Sequence, residues 1–143
     1  MELAGRVALV TGAGRRVGRA IATGLGSQSM HVAVHYNGSE AGAKETVADI
    51  ERAGGIGTLF RADLSLPAAP ESLVNDVVAT LGAIDVLVNS AAIMQRTPLN
   101  AVTPADWDAT VAPRRAVNQR LVQPGTAATR RSPSCCDAHW NAW

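Results

Sequence analysis

One stretch near the start of the chain limits the folds open to it: Gly5-Arg6-Val7-Ala8-Leu9-Val10-Thr11-Gly12-Ala13-Gly14-Arg15-Arg16-Val17-Gly18-Arg19. Val7 to Val10 is a near-continuous apolar run, which suits a parallel strand covered on both faces. Gly12, Gly14 and Gly18 follow and allow tight turning and close backbone approach. Val17, Ala20, Ile21, Gly24 and Leu25 then recur at helical spacing and predict one apolar or small face. A strand that runs through a glycine turn into a helix makes an anion site. Free backbone N–H groups and the helix dipole converge on one spot there.

The same alternation repeats down the chain. His31-Val32-Ala33-Val34-His35 reads as a second strand, and Asn37-Gly38-Ser39 as a turn with Ser39 an N-cap. Ala43, Val47 and Ile50 give the next helix its apolar face, and Gly54-Gly55 stops it. Thr58-Leu59-Phe60 is a third strand, left through Asp63-Leu64-Ser65. Pro67 suits the first turn of a helix whose face is Leu73, Val74, Val77, Val78 and Leu81, with Gly82 at its end. Ile84 to Val88 is a fourth strand leading into Asn89-Ser90-Ala91-Ala92. Thr103-Pro104-Ala105-Asp106 has the pattern of a capped helix start. This is the pattern of an α/β fold: a Rossmann-like, doubly wound parallel sheet of about four βα units in the order 3-2-1-4, incomplete as it stands.

At 143 residues the chain holds one ordinary domain. Its 47% hydrophobic and 17% charged residues are those of a soluble globular protein. Charge is unevenly placed. Residues 1–112 carry 8 Lys/Arg against 11 Asp/Glu, whereas residues 113–143 carry five arginines and one acid, Asp137. Pro113-Arg114-Arg115 interrupts the helix begun at Thr103, since a proline inside a helix costs about 3 kcal/mol. Residues 126–134 show no apolar period. We therefore expect a folded unit over residues 1–112 and a disordered basic tail over 113–143. The tail's composition fits translation out of frame in GC-rich DNA, which the other reading frames downstream of codon 112 would decide.

The only two cysteines, Cys135 and Cys136, are adjacent and imply no disulfide framework. With Asp137 and His139 they do not match the usual Cys-x-x-Cys metal spacing, so no metal site is expected. No leader pattern and no apolar run near 18 residues is present, so a cytoplasmic location and no membrane partner are expected. The basic tail lies in no nucleic-acid-binding motif, so no nucleic-acid partner is expected. Trp107 and Met94 are expected in packing, and His31 at the start of a strand.

The spacing Thr11-Gly12-x-x-x-Arg16-x-Gly18 resembles the cofactor loop of the short-chain dehydrogenase/reductase family. Arg16, where most of that family has Gly or Ala, is similar to the pteridine-reductase-like branch. Asp63-Leu64 resembles the family's adenine-contacting segment. Asn89-Ser90-Ala91-Ala92 is similar to its Asn-Asn-Ala-Gly segment, with departures at Ser90 and Ala92. The resemblance spans about residues 3–112. It implies an oxidoreductase that moves hydride between NAD(P)H and a carbonyl, alcohol or pterin-like substrate, and homo-oligomers among complete relatives. The implied cofactor contacts are Gly12, Gly14, Arg15, Arg16, Val17, Gly18, Asp63, Leu64, Asn89 and Ala91.

Cofactor choice follows from charge. NAD sites hold the ribose hydroxyls with an acid about 20 residues past the glycines. Here that place is His35-Tyr36-Asn37-Gly38-Ser39, with no acid, so NADP(H) is expected over NAD. Arg15 and Arg16 can each give a 2′-phosphate a charge-assisted hydrogen bond of about 1.5–3 kcal/mol. The resemblance adds His35 and Ser39 to Arg15 on that phosphate, with Asn37 beside them.

The family's catalytic Asn, Ser and Tyr-x-x-x-Lys have no counterpart. Position 114 is Arg114, the single tyrosine is Tyr36 and the single lysine Lys44. The expectation is that this chain binds dinucleotide and is inactive by itself. The alternative is a non-catalytic binding fragment or the product of a truncated or frameshifted gene.

Overall fold

The computed structural model describes residues 2–92, 98–108, 110, 111 and 117. In order, the elements are β1 (Val7–Thr11), α1 (Arg16–Gly26), β2 (His31–Tyr36), α2 (Glu40–Arg52), β3 (Ile56–Arg61), α3 (Ala69–Leu81) and β4 (Val86–Asn89). A short 3-10 turn, Leu99–Ala101, and a helical stretch at 104–108 follow. The strands form one parallel sheet in the order β3-β2-β1-β4, as the alternation of strands and helices predicts.

Alternate residues of the central strands go to opposite faces, and each face has its own core. Val7 and Leu9 of β1 and Ala33 of β2 pack with Leu73, Val74 and Val77 of α3. Ala8, Val10, Val32 and Val34 pack on the other face with Ala22 of α1 and with Ala43 and Ile50 of α2. Strand β1 is buried along its whole length, as a parallel strand covered on both faces must be. Val117 lies beyond the expected boundary at Ala112, yet it is fully buried in the α3-side core. Among the described residues no helix is long and apolar enough to cross a membrane.

Four local expectations change. The buried face of α1 is Gly18, Ala22 and Gly26, whereas Val17, Ala20 and Gly24 are exposed. The helix lies too close to its neighbours for larger side chains. A Cβ on Gly26 would stand 2.9 Å from Ile50 Cγ2, inside contact distance. Ser39 makes no side-chain cap on α2. Helix α3 takes Pro70, not Pro67, into its first turn. Other end signals hold. Gly54 (φ +91°) and Gly82 (φ +90°) close α2 and α3 in the left-handed region. Thr103 and Asp106 form a reciprocal capping box, with Thr103 N–H on Asp106 Oδ2 at 2.9 Å and Asp106 N–H on Thr103 Oγ1 at 3.3 Å. Trp107, expected in packing, is 67% exposed, and Met94 lies outside the described residues.

Helices α1 and α2 are also linked by charge. Arg19 pairs with Glu45 and Asp49, and Arg52 also reaches Asp49. These bonds hold the Asp49 carboxyl below its ordinary value and raise the Arg19 guanidinium, with the Arg19–Asp49 bond the largest cause of each.

Candidate functional site

A cleft of about 670 Å³ opens at the C-terminal ends of the strands. Four connections line it: the glycine turn after β1, residues 35–39 at and beyond the end of β2, residues 63–65 after β3 and residues 90–92 after β4. The chain leaves β1 toward β2 on one side, while β4 lies on the other. Such a reversal in strand order leaves a crevice that neither crossover covers, and ligands of open α/β sheets bind there.

The glycine turn is tight because its neighbours touch it. Gly12 has φ +68°, and a Cβ there would stand 2.8 Å from Ala91 Cα. A Cβ on Gly18 would run into the Gly12 carbonyl. Thr11 ties this turn to the segment after β4. Its Oγ1 donates to Val88 O at 3.3 Å and accepts from the N–H groups of Ser90 and Ala91, each at 3.1 Å. Thr46 ties it to α2, where its buried Oγ1 lies 3.0 Å from Ala13 O and 2.8 Å from Gly42 O. Gly42 lets α2 approach, because a Cβ there would overlap the Gly14 carbonyl. In sequence Thr11 marks the start of the glycine spacing and nothing more, and Gly42 and Thr46 carry no role. A glycine in the first turn of a helix, where it weakens the helix, was the available signal for Gly42.

Helix α1 opens on the cleft with no side-chain cap and no acidic residue in its first turn. Its first N–H groups therefore lack a partner from a cap, which is the condition for holding an anion. Arg15 and Arg16 flank this end, and Arg16 sits at φ +45°, an uncommon conformation for a residue with a Cβ.

At the far end, Arg15 Nε donates to Ser39 Oγ at 2.7 Å across the cleft. The Ser39 hydroxyl thus faces Arg15 and makes no cap on α2. No carboxylate stands at the end of β2. The nearest acid in the lining, Asp63, accepts from Ser65 N–H at 3.0 Å and Ser65 Oγ at 2.6 Å. Those two bonds, with a smaller contribution from Asn37, hold its carboxyl below the ordinary range.

The structure thus brings Gly12, Gly14, Arg15, Arg16, Val17, Gly18, Asn37, Ser39, Asp63, Leu64 and Ala91 to one cleft. Leu64 does so while its side chain packs in the α3-side core. Asn89 ends β4, paired with Thr11, and is not in the lining. His35 is in the lining but 2% exposed, and both its ring nitrogens face backbone groups of the chain. In this arrangement neither nitrogen is directed at a phosphate. Arg114 and the cysteine cluster lie outside the described residues.

A family model described as short chain dehydrogenase matches residues 6–127. A short-chain dehydrogenase/reductase homolog of Bacillus subtilis, YusS, is 35% identical over 108 residues, covering 76% of this chain and 99% of that protein. Of other curated relatives the chain spans about two fifths, for instance 41% of a 3beta-hydroxysteroid dehydrogenase from Eggerthella lenta at 33% identity over 74% of this chain. A Burkholderia cenocepacia short chain dehydrogenase solved with NADP superposes with a TM-score of 0.75 at 34% identity, over 85% of this chain and 51% of that one. The sheet order, the switch-point cleft and the glycine turn agree with these matches, and the chain belongs to the short-chain dehydrogenase family.

Proposed function

We propose that the chain is the dinucleotide-binding part of an NADP(H)-dependent reductase that moves hydride between NADPH and a carbonyl, alcohol or pterin-like substrate. The uncapped N-terminus of α1, facing a cleft with Arg15 on Ser39 and no acid after β2, carries this reading. The helix end suits the pyrophosphate, and Arg15, Ser39 and Asn37 suit a 2′-phosphate. Asp63 and Leu64 suit the adenine end, and Val17, Ala91 and the adjoining Asn89 the nicotinamide half. The NADP in the Burkholderia relative supports the cofactor class. Arg16 supports a pteridine-reductase-like branch.

A second reading rests on the residues present. No Tyr-x-x-x-Lys occurs in these 143 residues, so this chain by itself binds without supplying the proton of a carbonyl reduction. NADPH fluorescence titration tests both. Wild type should bind NADPH more tightly than NADH, and Arg15→Ala should bring the two together by weakening NADPH alone about tenfold, the equivalent of one charge-assisted bond. Equal loss for both dinucleotides would remove Arg15 from the phosphate. Binding of neither would end the proposal.

A further inference from the structure

His35 stands where three connections meet. Its main-chain carbonyl accepts from Ala13 N–H at 2.9 Å. Its Nδ1 accepts from Gly12 N–H at 3.1 Å, and its Nε2 lies 3.1 Å from Ala62 O. A backbone amide only donates and a carbonyl only accepts. One form of the ring satisfies both: neutral imidazole with its proton on Nε2. We propose that His35 is a positioning residue of the dinucleotide site, whose Nε2-protonated ring holds the Gly12 amide and so fixes the phosphate-binding turn against the ends of β2 and β3. The proposal rests on the dinucleotide reading above.

This role differs from a bond to the 2′-phosphate, which needs an N–H facing the cleft. Both nitrogens of His35 are already spent on backbone. It also differs from core packing, because an apolar ring of the same shape would leave the Gly12 N–H and the Ala62 carbonyl without these partners.

A proton added at Nδ1 would set one N–H against another in a site only 2% exposed. The turn would then have to leave the ring. Burial is the largest influence and disfavours the charged ring, while the Ala62 carbonyl favours it. Around it, strands β1 and β4 carry no titratable side chain. The turn and the start of α1 bring Arg15 and Arg16, and β3 ends in Arg61. Asp63 lies beyond β3 with its carboxylate on Ser65, and Tyr36 follows His35 in the lining. Glu40 and Lys44 on α2 are paired with each other.

Two variants separate the two nitrogens. The amide of Asn branches from the same carbon as Nδ1, so His35→Asn keeps an acceptor for Gly12. The amide of Gln lies one carbon farther out, so His35→Gln reaches only toward Ala62. The full chain is titrated with NADPH and with NADH between pH 5 and 8, and the ring tautomer of the free protein is read by long-range ¹⁵N–¹H NMR. His35→Asn should stay within about threefold of wild type, and His35→Gln should weaken both dinucleotides about tenfold with their ratio unchanged. Wild-type affinity for NADH, which has no 2′-phosphate to titrate, should fall toward pH 5, and His35→Asn should lack that fall. A loss confined to NADPH would make His35 a phosphate ligand and overturn the proposal, as would an Nδ1-protonated tautomer. If wild type binds neither dinucleotide, the dinucleotide reading fails. The NMR tautomer then decides the geometry by itself.

Discussion

Arg16 pays for its place in backbone conformation. A residue with a Cβ held in the left-handed region costs about 1–2 kcal/mol, and Arg16 sits there at φ +45°. Glycine removes that strain but loses about 0.5–1 kcal/mol in chain entropy. Arg16→Gly should therefore raise unfolding stability by about 0.5–1 kcal/mol in urea melts and weaken NADPH binding several-fold. A less stable variant would show that the arginine side chain contributes more than its conformation costs. At His35 the same scale decides a pH dependence. Burial lowers its pKa from the ordinary 6.5, so the unfolded chain takes up the proton first. Its contribution is whole above about pH 6.5 and is lost as pH falls through the lowered folded value. Wild type should lose more stability than His35→Asn between pH 7 and 5.5. Asp49, Asp63 and Asp106, all lowered from 3.8, act in a separate, more acidic window.

Between elements, contact distance outweighs helix propensity. Gly24 in α1 and Gly42 in α2 are both helical glycines, and alanine is favoured over glycine in a helix by about 1 kcal/mol. Around Gly24 a Cβ meets nothing within 4 Å. At Gly42 it would run into the Gly14 carbonyl and stand 3.0 Å from Ser39 Oγ. Gly24→Ala should stabilise by about 0.5–1 kcal/mol. Gly42→Ala should destabilise by about 1–3 kcal/mol and weaken dinucleotide binding, because α2 must move off the turn. Urea unfolding with NADPH titration checks both, and a stabilised Gly42→Ala would refute the close approach. Thr46→Val, which removes the hydroxyl between Ala13 and Gly42, should cost about 1–2 kcal/mol by the same measurement. Sequence periodicity placed the helices but centred the inner face of α1 one position off, so that Leu25 packs at the edge of the core while Val17 is exposed. Hydrophobicity picks out Val17, Ile21 and Leu25, whereas close packing admits Gly18, Ala22 and Gly26.

Over the whole molecule, the proposed function separates binding from chemistry. The described residues supply four connections around one cleft, and β4 pairs with β1 alone among them. A positioned general acid contributes about 10²–10⁴ in rate. With Tyr36 the single tyrosine, at the end of β2, the purified chain should oxidise NADPH with ketone or pterin substrates no faster than a blank. Turnover above that level, followed at 340 nm, would show that another group supplies the proton.

The order of strands and helices, the switch-point turn and the lack of an acid in residues 35–39 are legible in the residues alone. Those features are local. They follow from apolar spacing, glycine punctuation and charge within a few residues. What the polar groups do to one another depends on the folded arrangement. His35 looks like a free strand-end imidazole in sequence, yet the fold sets it between Gly12 and Ala62, 23 and 27 residues away. Ser39 reads as a cap, yet Arg15 reaches it across the cleft. Thr46 and Gly42 belong to no sequence motif, yet they hold the glycine turn. Each of these outcomes depends on which backbone groups parallel strands bring side by side, and no local pattern records that.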